Sequence, residues 1–157
     1  MIPEEYRLGA YLVSTDRARL DARAIHAFLT TSYWAEQIPL DLVERSLRGS
    51  LCFGLYAPEG QAGLARVISD EATFAYVCDV YVLPAHRGRG LARWLMQCVM
   101  ASPRLQGLRR WTVATRDAHK LYEALGFRTP DNPHADGDRS AGTVPARRGP
   151  GRAVAWG

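Results

Sequence analysis

The stretch Val80-Tyr81-Val82-Leu83-Pro84-Ala85-His86-Arg87-Gly88-Arg89-Gly90-Leu91-Ala92 constrains this chain more than any other. An apolar strand runs into a proline turn, then a loop of alternating arginine and glycine, then a segment with helical spacing. Strand, glycine-rich turn and helix in that order build an anion site. The first backbone N–H groups of a helix have no intrahelical partner, and the helix dipole favours negative charge there. Gly88 and Gly90 carry no Cβ, so the backbone can approach a ligand closely. Arg87 and Arg89 add permanent charge and forked donors suited to phosphate. The competing reading is a tight turn with solvated arginines.

Two familiar phosphate loops are excluded. A Walker loop requires Lys-Ser or Lys-Thr after its last glycine, and neither follows Gly90. The dinucleotide fingerprint requires a third glycine three residues after Gly90, where Arg93 stands.

Around this stretch the hydropathy pattern alternates between strands and helices. Tyr11–Val13 is a short strand candidate. Asp21 is placed to cap a helix reaching about Thr31, with Leu20, Ile25, Phe28 and Leu29 on its apolar side. The loop from Thr31 to Pro39 is rich in aromatic and polar residues, and Trp34 there either covers the core or lines a ligand site. Leu40–Arg48 has helical spacing. Strands are expected over Leu51–Tyr56, Gly63–Ile68 and Phe74–Leu83, turned by Pro58-Glu59-Gly60 and Ser69-Asp70-Glu71. The last of these is apolar on both faces apart from Asp79, which predicts cover on both sides. Leu91, Trp94, Leu95, Cys98 and Val99 fall at i, i+3, i+4, i+7 and i+8 and predict a helix. Leu108–Ala114 reads as a strand, and Ala118–Leu125 as a helix closed by Gly126. Some strands are separated by helices and others joined by hairpins, so the class is α/β (α+β) with a mixed central sheet flanked by helices.

The 157 residues suffice for one domain with a sizeable core. The net charge of +4, almost all of it arginine because Lys120 is the only lysine, suits an anionic ligand and is too small to argue for nucleic acid. Cys52, Cys78 and Cys98 lie apart in apolar stretches, without metal spacing. They read as reduced core thiols, which with an N-terminus lacking an apolar signal core predicts a cytoplasmic protein without metal or membrane attachment.

The six residues Arg87-Gly88-Arg89-Gly90-Leu91-Ala92, behind a strand ending Val-x-Val and a proline, resemble the coenzyme A loop of the GNAT N-acetyltransferases. A second motif runs Thr115-Arg116-Asp117-Ala118-His119-Lys120-Leu121-Tyr122-Glu123-Ala124-Leu125-Gly126-Phe127. It is similar to the family's Asn-x-x-Ala-x-x-Leu-Tyr-x-x-x-Gly-Phe. The element order through Phe127 also resembles the GNAT acyl-CoA N-acyltransferase fold, over about the first four-fifths of the chain.

The resemblance implies acetyl-CoA as acyl donor and a small-molecule or peptide amine as acceptor. It implies that the backbone of Val80, Tyr81 and Val82 binds the pantetheine arm, that Arg87–Ala92 hold the pyrophosphate, and that Thr115 touches the coenzyme where the family often has Asn. Tyr122 matches the tyrosine that protonates the departing thiolate; a phenol is neutral at pH 7 and can donate to sulfur. The alternative for Tyr122 is a core tyrosine. The family's catalytic glutamate position is taken by Tyr76, so the nearby carboxylate Asp79 is the candidate base, directly or through water. His26 and His119 are other candidates. Tyr33, Trp34 and Tyr76 are expected at the acceptor, with Glu36 and Glu44 as possible partners of a cationic amine. A coenzyme A-binding sensor or partner-binding module without turnover is the competing class.

The resemblance stops near residue 129. Residues 130–157 are Gly-, Pro-, Arg- and Asp-rich and read as an irregular or disordered segment, in which only Ala141–Val144 and Ala153–Trp156 have strand character. A missing last strand would expose a sheet edge, which dimerisation would cover.

Overall fold

Glu5 and Arg7 alternate with Tyr6 and Leu8, and this short pattern forms a strand not expected from the sequence, β1 (Glu5–Leu8). It pairs antiparallel with β2 (Tyr11–Ser14), Glu5 opposite Ser14 and Leu8 opposite Tyr11. In this computed structural model the described residues are 2–116 and 118–127, with the backbone of 152–156. They fall into two compact units, one of Met1–Val67 and Asp79–Val99, the other of Ile68–Cys78 and the described residues from Met100 onward.

In the first unit β2 pairs antiparallel with β3 (Leu51–Ala57), and β3 with β4 (Gly60–Ser69). Pro58 and Glu59 make the turn, so β4 starts three residues earlier than its apolar run suggests. Two helices cross between β2 and β3. The Asp21 carboxylate accepts the Ala24 N–H at 3.0 Å and starts α1 (Ala22–Leu29). Pro39 precedes α2 (Leu40–Arg48), whose end is closed by Arg17: its guanidinium donates to the carbonyls of Leu47 at 2.8 Å and Ser50 at 2.7 Å. Ile25 and Leu29 of α1 and Val43 and Leu47 of α2 close over Cys52, Leu64 and Tyr81. Each fully buried aliphatic side chain stabilises by roughly 1.5–3 kcal/mol. Helix α3 (Leu91–Ala101) buries Leu91, Leu95, Met96, Cys98 and Val99, while Trp94 stays half-exposed.

Strand β5 (Phe74–Val82) passes from the second unit into the first after Cys78. Its first half pairs parallel with β6 (Arg110–Ala114), Phe74 opposite Arg110 and Val77 opposite Val113. The expected cover on both faces is incomplete: Ala75 and Val77 are buried, but Phe74 is exposed and Tyr76 and Cys78 are half-buried. Cys78 is therefore not a core thiol, unlike Cys52 and Cys98. The turn before β5 is built on Asp70, which accepts the Thr73 hydroxyl and the N–H groups of Ala72, Thr73 and Phe74. These bonds, the Thr73 hydroxyl first, hold its carboxyl well below the usual range.

Helix α4 spans His119–Ala124. A further strand, β7 (Arg152–Trp156), pairs parallel with β6, Thr112 opposite Val154, and overlaps the 153–156 candidate. The 129/130 boundary and Ala141–Val144 lie outside the described residues. The sheet is mixed, antiparallel among β1–β4 and parallel among β5–β7. Among the described residues no helix is long and apolar enough to cross a membrane.

Candidate active site

The Leu83 N–H donates to the Ala62 carbonyl at 2.8 Å, which keeps the end of β5 beside β4. A 3₁₀ turn, Pro84–His86, then leads into the glycine-arginine loop. Arg87 folds back, and its Nε donates to the Val82 carbonyl at 2.9 Å. Gly88 and Gly90 sit at φ +79° and +73°, the left-handed region that glycine enters without a Cβ penalty. A Cβ built at either position meets no atom within 4 Å, so the space above both is open. Trp94 N–H donates to the Gly90 carbonyl at 3.1 Å and starts α3 at Leu91. The N–H groups of the first turn, from Leu91 and Ala92 on, therefore point back toward the loop without helical acceptors. Arg89 reaches to β2, where its Nη1 donates to the Tyr11 hydroxyl at 2.9 Å.

Asp79 lies inside β5 at φ +51°. Its Oδ2 accepts Arg66 Nε at 2.7 Å, and its Oδ1 accepts Trp34 Nε1 at 2.9 Å. Arg66 Nη1 in turn donates to the Ser50 hydroxyl at 3.0 Å. The ion pair is mostly enclosed, with side-chain exposures of 15% and 11%. Trp34 meets Tyr33 edge-on at 5.0 Å, and both rings are exposed by about two-fifths. Phe28 stacks on Tyr81 at 4.0 Å and tilts against Trp34. Burial pushes the Tyr81 hydroxyl up, so it is a phenol and not a base at neutral pH. The first unit thus joins Asp79, Trp34 and Tyr33, and on the same strand carries Val80, Tyr81 and Val82 into the loop. Glu36 is exposed and Glu44 half-buried; neither forms an ion pair among the described residues. His26 ties α1 to the loop end, its Nε2 2.9 Å from the Ile38 carbonyl.

In the second unit the end of α4 positions Tyr122. Gly126, at φ +94°, donates its N–H to the Glu123 carbonyl, and Phe127 donates to the Tyr122 carbonyl, both at 3.0 Å. This is a Schellman closure, and its usual hydrophobic contact is present: the Phe127 ring meets Tyr122 edge-on at 5.7 Å. Tyr122 is buried. The Thr115 hydroxyl accepts the Ala118 N–H at 3.0 Å, so it closes the turn into α4. Tyr76 is half-buried on β5, opposite Thr112 of β6. The His119 side chain lies outside the described residues.

Four residues of consequence carry no motif signal. Arg66 is the cross-strand partner of Asp79, and Tyr11, Glu59 and His86 form a hydrogen-bonded chain behind Arg89. Only His86 lies within the loop stretch itself, and its residue type alone does not disclose its partners.

A family model described as the acetyltransferase (GNAT) domain matches residues 48–129. A Gibberella zeae protein named for an inferred acetyltransferase activity is 38% identical over 143 residues, 76% of this chain and 80% of its own length. A Xanthomonas campestris protein assigned to the GNAT family has a crystal structure that is 52% identical and covers 82% of this chain and 92% of that one, with a TM-score of 0.78. A GNAT-family acetyltransferase from Elizabethkingia anophelis, crystallised with acetyl-CoA bound, shares the fold at a TM-score of 0.57 over 79% of this chain and 80% of that one, at 13% identity. The domain match, the relative's coverage and the glycine-arginine loop at the start of α3 agree: the chain belongs to the GNAT family and is an N-acetyltransferase of that type.

Proposed function

We propose that this enzyme moves the acetyl group of acetyl-CoA to a primary amine by direct attack of the amine on the thioester carbonyl. The observation that carries the reading is the loop between β5 and α3. Two left-handed glycines with open space above them, two arginines and the bare N–H groups of a helix start make a cradle of the right chemistry for a pyrophosphate. When bound, acetyl-CoA supplies an acetyl group already activated as a thioester.

The chain's own groups then have separable tasks. The backbone from Arg87 to Ala92 and the Arg89 guanidinium hold the phosphates. The β5–β6 ladder ends at Val77, which favours the backbone of Val80, Tyr81 and Val82 as the part of β5 that takes the pantetheine arm. A strand N–H there polarises the reacting carbonyl. Tyr33, Trp34 and Tyr76 contact the acceptor. Forming the amide releases one proton from nitrogen, and the departing sulfur takes one up. Tyr122 donates the second from its hydroxyl. Asp79 accepts the first, directly or through water, since each of its oxygens keeps a lone pair beyond the bond it already accepts. Thr115 touches the coenzyme through its O–H donor, which remains after the hydroxyl oxygen accepts the Ala118 N–H.

The test is the melting temperature with and without acetyl-CoA, for the native sequence and for Arg89→Ala. At about 100 times Kd a ligand of the native state adds about 2.7 kcal/mol, a rise of about 5–10 °C for a chain of this size. The rise should shrink in Arg89→Ala. No rise at saturating concentration would overturn the reading of the loop. For the chemistry, Tyr122→Phe should lower kcat far more than it raises KM for acetyl-CoA; an unchanged kcat would remove Tyr122 from proton transfer.

A further inference from the structure

We propose that Tyr11 and His86, backed by Glu59, are positioning residues that hold Arg89 ready for the phosphates of coenzyme A. This rests on the coenzyme A reading of the loop and adds to it the device that keeps one of its arginines in place.

The four side chains come from separate elements of the first unit. Arg89 is in the loop, Tyr11 starts β2, His86 ends the 3₁₀ turn after β5, and Glu59 sits in the β3–β4 turn. Arg89 Nη1 lies 2.9 Å from the Tyr11 oxygen, that oxygen lies 2.8 Å from His86 Nδ1, and His86 Nε2 lies 3.0 Å from Glu59 Oε1. The His86 ring is buried and meets the Tyr11 ring edge-on at 5.6 Å.

Donor and acceptor chemistry gives this chain a direction. Arginine only donates, so the Tyr11 oxygen accepts from Arg89. An ionised carboxylate only accepts, so His86 Nε2 carries the proton toward Glu59. In the neutral imidazole Nδ1 is then the acceptor, and it takes the Tyr11 hydroxyl proton. Each bond polarises the next from the cation to the anion, which strengthens all three.

The arrangement suits a phosphate-binding arginine in particular. A carboxylate placed directly on Arg89 would cancel its charge and compete with the ligand. A phenol oxygen takes one N–H of five and leaves the guanidinium charge for an anion. Glu59 orients the chain from two side chains away, and among the described residues no carboxylate pairs with Arg89 itself.

The experiment measures Kd for acetyl-CoA by calorimetry on the full chain, with the ligand-free melting temperature as a control on folding. Tyr11→Phe keeps the ring and removes the oxygen. It should weaken binding about 3- to 10-fold, on the scale of one ordinary hydrogen bond, and lower the ligand-free melting temperature by only a few degrees as His86 Nδ1 loses its donor. In an Arg89→Ala background the same substitution should cost nothing further. His86→Ala should weaken binding similarly, and His86→Gln should restore it, because one amide offers both an acceptor for Tyr11 and a donor for Glu59.

An unchanged Kd in Tyr11→Phe, or an equal loss with and without Arg89, would overturn the proposal and leave the coenzyme A site standing. So would an Arg89→Ala variant that binds as tightly as the native chain. Failure of the native chain to bind acetyl-CoA would remove the site, and the positioning role with it.

Discussion

At Asp79 the backbone holds φ at +51°, in the left-handed region where a non-glycine residue is strained by order 1 kcal/mol, although Asp tolerates it better than most. Glycine would relieve that strain and lose the acceptor that joins Arg66 of β4 to Trp34 of the α1–α2 loop. The carboxylate is thus a structural joint as well as the candidate base, and one substitution separates the two duties. Asp79→Asn keeps an oxygen for Trp34 and removes the charge facing Arg66. Breaking an enclosed ion pair from one side costs about 3 kcal/mol, so the melting temperature should fall by about 6–12 °C. Measured well below the new melting temperature, kcat should also fall by about tenfold or more if Asp79 accepts the amine proton. A stable-enough variant with native kcat would leave Asp79 its joint role only.

At the scale of an element, the turn that ends α4 decides where Tyr122 points. Gly126 at φ +94° brings Phe127 back against Tyr122, and both backbone bonds of the closure depend on that angle. Gly126→Ala should destabilise the protein by about 1 kcal/mol and lower kcat, while the Kd for acetyl-CoA changes less than kcat does. Native kcat in that variant would show that the Schellman closure does not set the tyrosine. This element was legible in advance, because Leu-Tyr-x-x-x-Gly-Phe is local chemistry: apolar spacing, then a glycine where the helix must stop. The loop at the start of α3 was legible for the same reason. Strand β1 was not, since its four residues are mostly exposed and its signal is the pairing with β2. Nor were the partners of Asp79 and Arg89 legible. Tyr11 meets His86 across 75 positions of sequence, and no local pattern encodes a contact of that span. The mismatch at β5 has a similar origin. Over Phe74–Cys78 the buried Ala75 and Val77 alternate with the less covered Phe74, Tyr76 and Cys78, and apolar residues on both faces of a strand do not say which face another element covers.

For the whole molecule the three cysteines provide an internal gauge of opening and of ligand binding. Burial pushes the Cys52 thiol up to about 11, against the lowering effect of Arg17 and Arg66, and burial does the same to Cys98, also to about 11. The neutral thiol therefore dominates at pH 8, where only about one molecule in a thousand carries either thiolate, and both sulfurs are covered. No disulfide joins the three, and Cys78 is half-buried. A disulfide-exchange reagent at pH 8 should modify Cys78 first and the other two only as the protein opens. Acetyl-CoA at about 100 times Kd stabilises the native state by about 2.7 kcal/mol, so labelling of Cys52 and Cys98 through global opening should slow by about 100-fold. Mass spectrometry of timed samples reads each cysteine separately. Slowing at Cys52 and Cys98 in the native chain, and much less in Arg89→Ala, would tie coenzyme binding through the loop to the stability of the core that holds these thiols. Labelling of both at a rate indifferent to acetyl-CoA would mean that they are reached by local opening, which the ligand does not oppose.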